Sequence, residues 1–196
     1  MAEAVRALVL GSNSPRRRDL LTASGFAFEV DVPDIDERAL PGESPEAQAR
    51  RLALEKARVV AGRTSGEACV LAADTLVVVD ADVLGKPRDV DEAVEMLLRI
   101  QGRTHRVLTG FALVVRALGV EQHGVIESEV RMHPVDLATA RAYARSGEPL
   151  DKAGAYAAQG EGGRFVAEIR GSRTNVIGLP MEAVVSLLSK LGVEPA

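Results

Sequence analysis

The chain has 196 residues, 46% of them hydrophobic and 27% charged, with a formal net charge of −4. That length buries roughly 70% of the unfolded chain's surface, enough for a full core without disulfides or structural metal. The acidic balance argues against a general nucleic-acid binder, which carries a basic surplus, while leaving room for a local basic pocket that takes a small anion.

A single cysteine, Cys69, excludes an internal disulfide and reads as a small buried side chain in the apolar run Cys69–Ala73. No Cys/His cluster has zinc-site spacing. No apolar stretch approaches the ~18–20 residues of a membrane span. The start, Met1–Arg6, leads into a strand-like run and lacks the pattern of a signal peptide, so a cytoplasmic location is expected. Aromatic residues are only 3%, with no Trp, which disfavours base-stacking platforms for single strands.

In chain order, Ala7–Leu10 is an apolar run ending at Gly11 and predicts a buried strand. Ser14-Pro15 predicts a helix start, with Ser14 as N-cap and Pro15 at the first helical position, running to about Ser24. Phe26–Val32 reads as a second strand, and Pro33–Ser44 as an acidic loop. Ser44-Pro45 repeats the cap signal and opens a long helix to about Ala61, closed by Gly62. Val70–Ala73 is a buried strand that continues past Asp74-Thr75 into Leu76–Val79, with a turn at Asp80–Asp82 and a hairpin arm at Val83-Leu84. A helix follows over Asp89–Ile100, then strands over Thr104–Val115 and Val125–Met132 with Gly119 in the connection. Asp136 caps a helix to Ser146, Glu148–Gly163 is a polar, glycine-rich loop, Phe165–Ile169 is a strand, and Pro180–Leu191 is an amphipathic helix. The mixture lacks regular βαβ spacing and predicts an α/β fold with a mixed sheet.

Four places carry chemistry. Gly11–Arg17 joins a strand to a helix start, where unpaired N–H groups and the helix dipole meet two hydroxyls, Ser12 and Ser14, and two guanidinium groups, Arg16 and Arg17. These are the donors a phosphate needs, although a plain capped helix is the simpler reading. It is not a Walker loop, because Gly-x-x-x-x-Gly-Lys is missing. Asp74 ends the apolar run Val70–Ala73, and Glu37 lies in the acidic loop. Two carboxylates near phosphate oxygens require a cation between them, and Mg²⁺ or Mn²⁺ suits that donor set. The plain alternative for Glu37 is a solvated loop residue.

Lys56 falls on the apolar stripe of Ala49, Leu52, Ala53 and Val60, so it either snorkels to the rim or meets a buried anion. Lys86, in Gly85-Lys86-Pro87, is either a surface turn lysine or a phosphate ligand. The loop Asp151–Gly160 is either a mobile surface loop or a ligand loop, with Gln159 able to offer donor and acceptor to a base edge. His105, His123 and His133 lie near no Ser or Cys that would suggest a nucleophilic triad, and are read as structural or surface residues.

Together these blocks resemble the Maf family of nucleoside triphosphate pyrophosphatases from about Ala7 to Leu188. The matching stretches are Ser-Asn-Ser-Pro-Arg-Arg at 12–17, Glu37, Lys56 in Leu-Glu-Lys-Ala, Ala-Asp-Thr at 73–75, Gly-Lys-Pro at 85–87, Thr109-Gly110, the Asp151–Gly160 loop and Asn175–Pro180. The segment Ser172-Arg173-Thr174-Asn175 departs slightly from a more common Ser-x-Ser-Asn. The resemblance implies one Maf-like domain over residues 1–196, with a fold like that of the inosine triphosphate pyrophosphatases: a curved mixed sheet flanked by helices, with a cleft between two lobes. It implies hydrolysis of a nucleoside triphosphate to monophosphate and pyrophosphate with a divalent metal, Mg or Mn, on Glu37 and Asp74. Catalysis is assigned to Asp74, Glu37, Lys56 and Lys86, with Asp74 as proton acceptor. Substrate binding is assigned to Ser12, Ser14, Arg16, Arg17, Thr75 and Gln159. Arg16, Thr75 and Gln159 resemble the branch that prefers dTTP and UTP. A homodimer is implied, with neither nucleic acid nor membrane as partner. The alternatives are a nucleotide-binding regulator of septum formation without catalysis, and a related hydrolase for non-pyrimidine or modified nucleotides.

Overall fold

Consecutive apolar residues that need burial on both sides build the strands of the computed structural model, which describes residues 7–196. The elements are β1 (Leu8–Leu10), α1 (Pro15–Ala23), β2 (Glu29–Val30), α2 (Pro45–Arg63), β3 (Cys69–Val79), β4 (Asp82–Leu84), α3 (Val90–Ile100), β5 (Thr104–Val115), β6 (Val120–Met132), α4 (Leu137–Arg145), β7 (Val166–Arg170), α5 (Arg173–Ile177) and α6 (Met181–Lys190). The seven strands form one sheet in the order β2-β1-β3-β5-β6-β7, with β4 paired to β3. β1 is parallel to β2 and β3, whereas β4 on β3 and β7 on β6 are antiparallel, so the sheet is mixed as expected. The segment Met1–Arg6, read above as a lead-in, lies outside the described residues. Among the described residues no helix is long and apolar enough to cross a membrane.

The chain forms two compact units. The first holds residues 7–74, 109–126 and 178–196, and the second holds 75–108 and 127–177. In the first, alternate strand residues feed opposite faces. Val9, Val70, Ala72, Ala112 and Val114 meet Ala53, Ala57 and Val60 of α2. Leu10, Leu71, Ala73 and Leu113 face the other way, onto Leu21, Val184 and Leu188. Burial on both faces explains why β3 reads as a continuous apolar run. In the second unit, Val77 and Val79 of β3 pack with Ala93, Leu97 and Ile100 of α3 and with Ala140 and Tyr143 of α4.

Several boundaries differ from the sequence expectation. The strand expected over Phe26–Val32 shrinks to Glu29–Val30, because β2 is an edge strand whose two residues are exposed. Gly62 does not end α2: the helix continues through it to Arg63. The Glu148–Gly163 loop winds into 3-10 turns at Glu148–Asp151, Ala153–Ala155 and Glu161–Phe165. The short helix α5 was not anticipated. Asn175 fixes it, donating through Nδ2 to the Val107 carbonyl at 3.0 Å and to Ser128 Oγ at 2.9 Å. The anticipated caps at Ser44 and Asp136 are formed, and Asp89, expected as the first helical residue, caps α3 instead, each side chain accepting a first-turn N–H.

Candidate active site in the first unit

Ser14 stands at the N-cap of α1 with Pro15 behind it, yet its hydroxyl makes no capping bond. The Ser14 amide donates to Ser12 Oγ at 3.2 Å, so the polar work of the turn falls on buried Ser12. Ser12 Oγ also accepts from Arg17 Nη1 at 2.9 Å, and Arg17 Nε donates to the Gly178 carbonyl at 2.7 Å. These bonds hold the Arg17 guanidinium in one orientation. Arg18 is drawn to Asn13, bonding its carbonyl and Oδ1 at 3.0 Å each. Arg16 is partly buried.

Asp74 closes the apolar run Val70–Ala73 but lies inside β3, which continues past it as expected. Leu76–Val79 remain apolar and pair with β4, so the strand does not stop. Its side chain is only 11% exposed. On α2 the stripe anticipated from spacing is buried, and Lys56 lies within it. The alternative left open for this lysine is resolved in favour of an anion. Lys56 Nζ lies 2.6 Å from Asp74 Oδ1 and 2.6 Å from Glu37 Oε1. Glu37 comes from the acidic loop and is 57% exposed. Burial lowers the Arg17 pKa, while the neighbouring Asp74 and Glu37 charges work to raise it and Arg16 to lower it. Arg17, Glu37, Lys56 and Asp74 therefore share one electrostatic neighbourhood.

Two carboxylates, one ammonium and one guanidinium sum to zero formal charge. A polyphosphate brought here needs further cations. Lys56 contacts one oxygen of each carboxylate. The pair offers the hard-oxygen donors that suit a divalent ion whose remaining ligands are water and phosphate. Among the described residues no group of three or more His, Cys, Asp or Glu could hold a metal unaided. Two carboxylates are a donor set suited to a divalent ion that also takes water and phosphate oxygens.

The loop bearing Glu37 is tied to α2 by a pair the sequence did not single out. Arg51 Nε and Nη2 donate to Glu43 Oε1 and Oε2 at 2.7 and 2.8 Å. Arg51 Nη2 also donates to the Arg38 carbonyl at 3.1 Å, and Glu43 Oε2 accepts the Leu40 amide at 3.0 Å. Only the i,i+4 spacing of Arg51 and Glu55 was readable beforehand. Nothing in the spacing separated Glu43 from a solvated charge.

The second unit carries the other expected residues. Thr75 is partly buried in β3, and Lys86 is exposed in the turn after β4. That turn is fastened where the Gly154 amide donates to the Gly85 carbonyl at 3.1 Å. Gln159 is exposed between two of the 3-10 turns. His105 is buried, with Nε2 2.8 Å from the Tyr156 hydroxyl, whereas His123 and His133 are exposed. Cys69 is buried, and burial pushes its thiol up to about 12.

The first unit thus joins a lysine held between two carboxylates to a part-buried arginine, on a mixed-sheet α/β fold. Residues 7–191 match the family of Maf-like proteins, and the chain belongs to it. A dTTP/UTP pyrophosphatase of Myxococcus xanthus is 52% identical over 186 residues, covering 95% of this chain and 93% of that protein. A dTTP/UTP pyrophosphatase of Anaeromyxobacter dehalogenans is 51% identical, covering 94% of each chain. One of Vibrio cholerae is 45% identical, covering 93% of this chain and 97% of that protein.

Proposed function

We propose that this protein is a nucleoside triphosphate pyrophosphatase that converts dTTP and UTP to the monophosphate and pyrophosphate. The observation that carries the reading is the Lys56 ammonium, 2.6 Å from both Glu37 and Asp74, in a chain half identical to proteins of that name. Ser12, Ser14, Arg16 and Arg17 bind phosphate oxygens at the start of α1. Arg17 is held in place by Ser12 and the Gly178 carbonyl, so little ordering is needed on binding. Asp74 takes the proton from a water that attacks the α-phosphorus. The bond to the bridging oxygen of the β-phosphate breaks, and pyrophosphate leaves. Lys56 orients the Asp74 carboxylate and offsets charge as it builds. Glu37 and Asp74 would hold a divalent cation, which would supply Lewis-acid stabilisation of phosphate charge.

Lys86, Thr75 and Gln159 enter the proposal by their match to family motifs, Lys86 as a phosphate cation and Gln159 as a reader of the base. A homodimer follows from the same resemblance, and the acidic balance, scarce aromatics and lack of an apolar span support action on free nucleotide in the cytoplasm. The test is a Mg²⁺- or Mn²⁺-supplemented panel of dTTP, UTP, CTP, ATP and GTP scored by pyrophosphate formed. Fastest release from dTTP and UTP is expected. Zero release across the panel would favour a non-catalytic, nucleotide-binding regulator of septum formation.

A further inference from the structure

In the second unit, the arch that carries Gln159 is clamped at both feet by a pair of side chains outside the matched motifs. At one foot, the Ala157 amide donates to the Tyr143 hydroxyl at 3.2 Å. At the other, the Glu161 amide donates to Glu148 Oε1 at 3.1 Å and the Gly162 amide to Glu148 Oε2 at 2.9 Å. Between the feet stand only Ala158, Gln159 and Gly160. The Tyr143 hydroxyl and the Glu148 carboxylate act on each other's titration, the phenol raised and the carboxyl lowered. Burial works to raise the Glu148 carboxyl, but the bonds from Tyr143, Gly162 and Glu161 outweigh it and the net shift is downward.

Two glycines bring the arch to this clamp. A Cβ on Gly162 would lie 2.4 Å from the Tyr143 hydroxyl and 2.6 Å from the Ala157 carbonyl oxygen. A Cβ on Gly160, whose φ is +83°, would lie 2.2 Å from Glu148 Oε1. The clamp is itself anchored. Tyr143 is fully buried, edge-on to Phe165 at 5.0 Å, and Lys152 Nζ donates to the Glu148 carbonyl at 2.9 Å. Gln159 and Gly160 are exposed, whereas Ala157 at one foot is buried and Ala158 packs against the core, so packing sets the foot and the hydrogen bonds set the exposed crown. A hydrogen-bonding side chain discriminates only when its backbone is held to a fraction of an ångström.

We propose that Glu148 and Tyr143 are positioning residues that fix the Gln159 arch and thereby set base preference. This rests on the reading of Gln159 as the base reader. Glu148→Gln turns one of the two acceptor oxygens into an amide donor, which then opposes the N–H of either Glu161 or Gly162, and Tyr143→Phe removes the acceptor of Ala157 N–H.

The measurement is the ratio of kcat/KM for dTTP to that for dATP. It is made on the full-length protein with Mg²⁺, with thermal melting as a check on folding. Each variant is expected to lower the ratio about tenfold, through KM for dTTP and with kcat little changed. Glu148→Asp keeps both acceptor oxygens and is expected to recover most of the ratio. Gln159→Ala is run alongside. If it lowers the ratio while Glu148→Gln and Tyr143→Phe do not, the clamp is structural only and the inference is overturned. If Gln159→Ala itself leaves the ratio unchanged, the base-reading role fails and the inference falls with it. Should Glu148→Gln not fold, Tyr143→Phe, which removes one oxygen from a buried ring, decides the question.

Discussion

Gly110 and Ala49 touch through their backbones: a Cβ on Gly110 would stand 2.0 Å from the Ala49 carbonyl oxygen. Ala49 and Lys56 are seven residues apart, two helical turns, and share the buried face of α2. β5 and α2 therefore meet backbone to backbone on the same helix face that carries Lys56. Gly110→Ala is expected to cost about 3 kcal/mol of stability and to lower turnover at temperatures where the variant is still folded. Gly62, also in α2, has nothing within 4 Å of a built Cβ. There the same substitution is expected to stabilise by about 0.5–1 kcal/mol. Urea midpoints for the two variants check both signs.

Lys56→Met removes the ammonium between two carboxylates, one of them nearly buried. Breaking such a pair leaves charge uncompensated, and a loss of about 3 kcal/mol is expected, at the low end because Glu37 is half in solvent. Pyrophosphate release is expected to fall with it. Lys56→Arg is not expected to restore activity, since a planar guanidinium does not fit where one nitrogen meets two carboxylates at 2.6 Å. Denaturant unfolding and turnover of both variants test this.

Asp74→Asn keeps the shape of the side chain and an oxygen for Lys56 but loses the proton acceptor. Turnover is expected to drop at least ~10²-fold, with the melting temperature close to that of the parent. Near-normal turnover would remove Asp74 from the mechanism.

Burial pushes the His105 pKa down to about 4. Its Nδ1 finds no hydrogen-bond partner among the described residues, so a proton there gains nothing to offset desolvation. In the unfolded chain the ring takes a proton near pH 6.5, which the fold refuses until about pH 4. Stability from this group is fully present above pH 6.5 and falls through that window, by about 3 kcal/mol in total. His105→Gln keeps a polar atom near the Tyr156 hydroxyl and is expected to flatten the slope. Chemical denaturation from pH 8 to 4.5 measures it, and an unchanged slope would exclude His105 as the source.

The long elements were legible because local rules coincide with burial. β3 is apolar throughout except at Asp74 and Thr75, and α2 carries its cap, its proline and its small-residue stripe in order. The second strand was overread because apolar spacing does not reveal that β2 has a neighbour on one side only. α5 was missed because five residues hold no helical period, and its stability comes from Asn175 reaching a distant strand. At the candidate site, Lys56 announced itself as a charge on an apolar face. The Arg51–Glu43 clamp, built from two ordinary surface residue types, did not.

The residue order alone determined the strand runs, the helix caps and the membership of a charged lysine in a buried stripe, since each is written within a few neighbouring positions. Only the tertiary structure decided which charges meet: Lys56 with Asp74, 18 residues away, and Arg17 with the Gly178 carbonyl, 161 residues away. The reason is physical. Periodicity and capping depend on local backbone geometry, whereas a buried ion pair forms only where packing of the whole core excludes water and leaves each charge its opposite.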